Sequence, residues 1–257
     1  MAFRNPLLDT WTEGRATFGA WSSTGHSLAV EAMIQPGIDW VLLDLQHGLM
    51  DIRSLDAAVP AILGRGATPL ARVAVNDTAQ IGRVLDSGAL GVVVPLVESA
   101  AEAERAVAAC RFPPDGIRSY GPARFGLNHG TWDPADVGRV ACIVMIETAA
   151  GLAAADEIAS VKGLDGVLIG PSDLAISLGV VADRTHEDDR TREAFARILA
   201  ACQRNGVAPG IVSASGTLSA RYLAQGFRML VVATDLGLLI EGVGREVGVA
   251  RAAPDSR

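Results

Sequence analysis

WVLLDLQHGLMD, residues 40–51, begins as an apolar run and then takes up Asp44, Gln46 and His47 within four positions. A strand buried on both faces, as in a helix-covered parallel sheet, stays apolar while it crosses the core. The arrival of an acid, an amide and an imidazole marks where this strand leaves that core. The stretch therefore reads as a strand that ends at the mouth of a barrel.

Seven further runs of the same kind support that reading: ATFGAW (16–21), PLARV (69–73), GVVVPLV (91–97), ACIVMIE (141–147), GVLIG (166–170), APGIVS (208–213) and MLVVAT (229–234). Amphipathic or Ala-rich segments such as SAAEAERAVAAC and REAFARILAACQRNG separate them, and several end at a glycine suited to a left-handed helix cap. Eight alternating units predict an α/β protein of the (β/α)8 TIM-barrel class, as one domain over residues 1–257 with a frayed tail at about 251–257. The glycine-rich dinucleotide fingerprint of an open doubly wound sheet is absent.

The 257 residues, 49% of them hydrophobic, suffice for one large core. A formal net charge of −7 and the lack of any basic stripe argue against a nucleic-acid partner. No apolar run is long enough to span a membrane, and the first residues lack an apolar signal core. Cys110, Cys142 and Cys202 are odd in number, have no metal-ligand spacing and fit a reducing cytoplasm.

In such a barrel, chemistry gathers at the C-terminal strand ends. There the sequence places Asp44, Gln46 and His47, then Arg72, Glu147, Ser172 and Asp173, Ser213, and Thr234 with Asp235. Asp44 alone also reads as a loop cap, Asp173 as a helix N-cap and Glu147 as a first-turn acid. Two carboxylates converging at adjacent strand ends repel unless a cation or a proton lies between them. Oxygen-only ligands suit a hard ion, so Glu147 and Asp173 are candidate metal ligands beside His47 and Arg72. The single lysine, Lys162, precedes strand 6 at the opposite end. No Schiff-base lysine is thus expected at the mouth, and an enolate formed there would need a metal as electron sink.

DLQH, the Arg of PLARVAVND, FPPDGIRSYG, IET, IGPSDL and APGI, in this order, carry a resemblance. The chain resembles the class II, metal-dependent pyruvate aldolases of the 4-hydroxy-2-oxo-heptane-1,7-dioate aldolase family, which includes 2-dehydro-3-deoxy-galactarate and 2-keto-3-deoxy-rhamnonate aldolases. The resemblance implies an aldehyde-lyase that cleaves or forms the C3–C4 bond of 4-hydroxy-2-oxo acids through a pyruvate enolate. Its cofactor would be Mg2+, Mn2+ or Co2+ on Glu147 and Asp173, and its partners a keto acid and an aldehyde. His47 would be the base and Arg72 the enolate stabiliser. Asp86 would raise the basicity of a histidine across a subunit interface, and Asp44 would orient His47 or meet the aldehyde's hydroxyl. Ser172, Asp173, Met145 and Val212 would contact substrate.

The chain departs from that pattern at Met145, where Gln is common, and at Gln46, where Glu is common. Arg118, Tyr120 and Arg124, with His129 nearby, lie on a long loop that either compensates at the substrate or packs as a surface. LGLLIEGVGREVGVA, residues 236–250, is apolar on one face. It predicts a C-terminal helix packed on a neighbouring subunit, hence a homo-oligomer, a hexamer by resemblance. Two other functions remain open at this point: a CoA-thioester lyase of the citrate lyase β-like type, and a non-catalytic organic-acid binding protein.

Overall fold

A computed structural model describes residues 3–183 and 185–252. Parallel strands β1 (Thr17–Ser22), β2 (Trp40–Asp44), β3 (Thr68–Arg72), β4 (Gly91–Val94), β5 (Ala141–Ile146), β6 (Gly166–Ile169), β7 (Ala208–Val212) and β8 (Met229–Thr234) close into a barrel in sequence order, with β8 beside β1. α1 (Pro6–Thr12) precedes β1, and α2 (Ser27–Met33), α3 (Ser54–Gly64), α4 (Thr78–Asp86) and α5 (Ala100–Cys110) follow β1 to β4 in turn. α6 (Ala123–His129) and α7 (Pro134–Val137) fill the long return from α5 to β5. α8 (Ala149–Ala153) and α9 (Ala155–Ala159) follow β5, and α10 (Pro171–Ser177) and α11 (Asp189–Asn205) follow β6. α12 (Gly216–Gln225) leads to β8, and α13 (Asp235–Ala252) leaves it. The expected (β/α)8 barrel is present.

Each expected strand lies within a few residues of its run. The largest difference is at 91–97, where β4 stops at Val94. Pro95 brings no N–H to the ladder, and Leu96 turns away at φ +54°. Of the expected frayed tail, residues 251 and 252 instead extend α13, and 253–257 lie outside the described residues.

Side chains alternate between two cores, as the strand period of two requires. Trp40, Leu42, Leu70, Val93, Ile143, Met145, Leu168, Met229 and Val231 fill the barrel interior, joined by Leu7 of α1. Val41, Leu43, Ala71, Val92, Val94, Cys142, Val144, Ile146, Val167 and Ile169 face the helices. Side-chain caps at Asp77, Ser99, Thr148 and Ser215 satisfy the first N–H groups of α4, α5, α8 and α12. α13 departs from this economy, because every Leu, Ile and Val in it, from Leu236 to Val249, is exposed.

The interior floor is set by Trp40, whose indole N–H donates to Thr17 Oγ1 at 3.2 Å. A Cβ on Gly19 would lie 2.1 Å from that indole. Gly19→Ala is therefore expected to destabilise the barrel by about 1–3 kcal/mol through overpacking. Urea unfolding checks this, and an unchanged midpoint with an unchanged slope would show that Trp40 has room to move.

Candidate active site

On β2, β3 and β5 the inward-facing positions at mid-strand are apolar, and the next inward step is charged on all three. Asp44 follows Leu42 by one inward step on β2, and Arg72 follows Leu70 likewise on β3. The two are register partners. Arg72 Nε donates to Asp44 Oδ1 at 2.9 Å and Nη2 to Oδ2 at 2.7 Å. This bidentate pair is almost completely buried, with side-chain exposures of 7% and 2%. Asp44 also accepts the indole N–H of Trp21 at 3.2 Å and the backbone N–H groups of Gln46 (3.0 Å) and His47 (3.3 Å). Burial opposes its ionisation, but Arg72 and these backbone donors hold its carboxyl below the usual carboxylate range.

Asp44 reaches the backbone of His47, not its ring, and five donors converge on it. Little capacity is left to meet an aldehyde's hydroxyl. His47 itself is exposed on the loop after β2. Gln46 beside it has a buried Oε1 with no hydrogen-bond partner.

Glu147 takes the inward step after Met145, just past β5. It is buried, at 2% exposure. Its Oε1 accepts the Leu96 N–H at 2.8 Å, so the left-handed turn after β4 is what aims that donor. Its Oε2 lies over Gly170, where a Cβ would sit only 2.5 Å from it, so a side chain there would push the carboxylate away. Burial lifts the Glu147 carboxyl above its usual range. The Leu96 N–H works against that rise, the charge of Asp173 adds to it, and Arg72 and His47 lower it. Asp173 and Ser172 are exposed in the first turn of α10, immediately after β6. Met145 is buried, with its sulfur 3.9 Å from Arg72 Nη1. Val212 ends β7, half-buried against the interior cluster.

A divalent cation fits the Glu147–Asp173 donor set. Both offer hard carboxylate oxygen, Glu147 spends only Oε1 on the protein, and Asp173 makes no hydrogen bond or ion pair among the described residues. Among these residues no group of three or more His, Cys, Asp or Glu side chains is arranged for a metal. The remaining coordination positions would fall to small-molecule oxygens.

Other candidates lie elsewhere. Asp86 ends α4, opposite the mouth, and its Oδ1 accepts from Arg118 Nη2 at 2.9 Å in the same chain. Arg118 is buried, also donates to Val137 O, and stacks on Phe112. Tyr120 donates to Trp132 O, Arg124 to Asp56 O, and His129 Nε2 meets Gly88 O. All four sit on the return between α5 and β5, so in this subunit they pack the barrel's base rather than grip a keto acid. Ser213 bonds Ser219 and Val231 O. Asp235 accepts from Ser22, Ser23 and Thr24 and so ties β8 to the end of β1. Lys162 is exposed just before β6, away from the mouth.

Trp21 and the Leu96 amide have no role in the sequence reading. The alternation Gly19, Trp21 on β1 would have placed Trp21 in the mouth. The Leu96 amide gives no sequence signal except Pro95, which ends β4 early.

Comparison with known proteins adds the last observation. The family model described as HpcH/HpaI aldolase/citrate lyase matches residues 17–242. The hydroxypyruvate/pyruvate aldolase of Rhizorhabdus wittichii is 36% identical over 96% of this chain and 99% of its own. The 4-hydroxy-2-oxovalerate aldolase of Rhodococcus jostii is 38% identical over 91% and 92%. The crystal structure of an HpcH/HpaI aldolase/citrate lyase family protein from Burkholderia cenocepacia superposes with a TM-score of 0.89 at 30% identity, covering 97% of this chain and all of that one. Members of this family are generally dependent on a divalent metal. With a closed eight-stranded barrel, a charged mouth and relatives matched along nearly their whole length, the chain belongs to the HpcH/HpaI aldolase/citrate lyase family.

Proposed function

We propose that this protein is a divalent-metal-dependent aldolase that cleaves or forms the C3–C4 bond of 4-hydroxy-2-oxo acids, exchanging them with pyruvate and an aldehyde. The observation that carries this reading is a buried, immobilised guanidinium beside a half-satisfied carboxylate pair at a barrel mouth without a lysine. The names of the relatives, hydroxypyruvate/pyruvate aldolase and 4-hydroxy-2-oxovalerate aldolase, support it over CoA-thioester cleavage or simple binding.

Glu147 and Asp173 would hold Mg2+, Mn2+ or Co2+, which supplies Lewis-acid polarisation of the keto group. Arg72 cannot lose its proton, and Asp44 takes Nε and one side of Nη2. Nη1 meets only a soft thioether, so it remains available for an oxygen that gains negative charge. Such a donor, fixed in advance, stabilises the enolate more than the ground-state ketone. His47, exposed on a loop pinned through its backbone to Asp44, would take the C4 hydroxyl proton during cleavage. Ser172 and Val212 would line the keto acid, with Met145 as an apolar wall.

Assembly completes the reading. An apolar helix exposed along its length calls for a cover, and α13 of a homo-oligomer, a hexamer by resemblance, would find one on a neighbour. Asp86 would then serve His47 of another subunit, through the Oδ2 that Arg118 leaves unused. A cytoplasmic setting suits three free, buried cysteines. Among the described residues no helix is long and apolar enough to cross a membrane.

Three outcomes are expected. With Mn2+ or Mg2+ the protein should exchange the methyl protons of pyruvate with solvent deuterium, followed by proton NMR, and excess EDTA should stop it. His47→Ala should slow turnover of a 4-hydroxy-2-oxo acid by about 10²–10⁴-fold while metal affinity is kept. Exchange that persists in EDTA would remove the metal from the account. In sedimentation at micromolar concentration the chain should run as an oligomer, and deletion of residues 238–257 should yield smaller species. An active monomer would refute both the assembly and the role given to Asp86.

A further inference from the structure

Arg72 is held on three sides. Asp44 grips its edge through two bonds, and Met145 lies against Nη1. The third side is Trp21 of β1, whose ring lies beneath the guanidinium, with Cζ 4.6 Å from the ring centroid. The same indole donates its N–H to Asp44 Oδ2, the oxygen that Arg72 Nη2 also uses. Trp21, Asp44 and Arg72 thus form a closed triangle in which each member touches the other two, and all three are buried. The apex is itself pinned. Ser22, Ser23 and Thr24, directly after Trp21, donate to the buried carboxylate of Asp235 at the start of α13.

A cation over an indole face is attracted to it, and more strongly where water is excluded. A bidentate pair fixes the plane of the guanidinium but lets it hinge about the carboxylate, and a flat ring under that plane removes the hinge. The N–H bond meanwhile fixes the carboxylate. We propose that Trp21 is a positioning residue of the lyase site: stacked under Arg72 and bonded to Asp44, it aims the free edge of the guanidinium at the oxygen that becomes the enolate. The proposal rests on the aldolase reading above. It assigns Trp21 no contact with substrate and no proton transfer.

The test is a double-mutant cycle on pyruvate methyl exchange with Mn2+, each rate divided by the fraction of protein that binds Mn2+, so that misfolded material does not count. Trp21→Phe keeps a ring face and loses the donor, and Trp21→Leu loses both. With Arg72 present, Trp21→Phe should slow exchange by roughly tenfold and Trp21→Leu by more, since small errors in aim are costly at a reacting centre. The KM for pyruvate should change much less than the rate. With Arg72→Lys as the background, the same two changes should matter little, because the group they aim is gone. If Trp21→Leu does not fold, the cycle with Trp21→Phe decides alone.

A second readout needs neither metal nor turnover. The indole N–H resonance of Trp21, identified by its loss in Trp21→Phe, should shift when Arg72→Lys replaces the flat guanidinium stacked on the ring, and its two bonds to Asp44, with a point-like ammonium. Equal losses in both backgrounds, or an indole resonance that ignores Arg72→Lys, would overturn the proposal. Absence of exchange in the wild-type protein would instead overturn the aldolase reading, and the indole resonance would still judge the triangle.

Discussion

The ion pair between Asp44 and Arg72 is the constraint on which the mouth of this barrel depends. Removing two charges from water costs several kcal/mol per ion, and the pair recovers it only with good geometry and with every remaining lone pair occupied. The structure meets both demands. Two parallel N–H···O bonds join the groups, and an indole and two backbone amides fill the rest of the carboxylate. The pair also ties together the ends of three strands and the loop that bears His47. Above it the barrel interior is polar, and below it lies a floor of Trp40, Leu42, Leu70 and Leu168.

Against that saturated carboxylate stands one that is left short. Glu147 is about as buried as Asp44, yet among the described residues only the Leu96 amide bonds it, with Asp173 nearby to oppose its charge. Burial and a like charge raise its affinity for protons, and they raise its affinity for any cation that sits between the two acids. Two carboxylates at one barrel mouth thus have separate tasks. Asp44 holds a side chain in place, and Glu147 is kept available. Gly170 and the strained turn at Leu96 serve the second task, the one by yielding space and the other by turning its N–H inward.

Much of this was legible in the sequence, because a strand's period of two and its apolar runs carry the information. The eight runs gave the strands to within a few residues, and the change from apolar to charged at Asp44, Arg72 and Glu147 marked the mouth. What the sequence does not show is which partner each charge takes. Nothing local to DLQH says that Asp44 would be spent on Arg72 and Trp21 rather than on the imidazole three residues on, since that depends on the register between β2 and β3. Arg118, Tyr120 and Arg124 were ambiguous for a similar reason. A long return after α5 leads either over the mouth or under the base, and only the packing of α6 against α4 places it underneath. α13 was readable as an apolar helix, but the exposure of all its Leu, Ile and Val side chains appears only once the barrel is seen to close without them.

In the proposed reaction Arg72, fixed by Asp44, stabilises charge that grows during reaction rather than charge already present in the bound keto acid. The most direct measurement compares Arg72→Ala with the wild-type protein in two quantities under the same Mn2+ loading: the rate of pyruvate methyl exchange and the dissociation constant of pyruvate. Exchange should fall by about 10²–10³-fold while the dissociation constant moves by far less, the signature of a donor used chiefly in the transition state. An exchange rate left unchanged, or a loss of binding as large as the loss of rate, would contradict it.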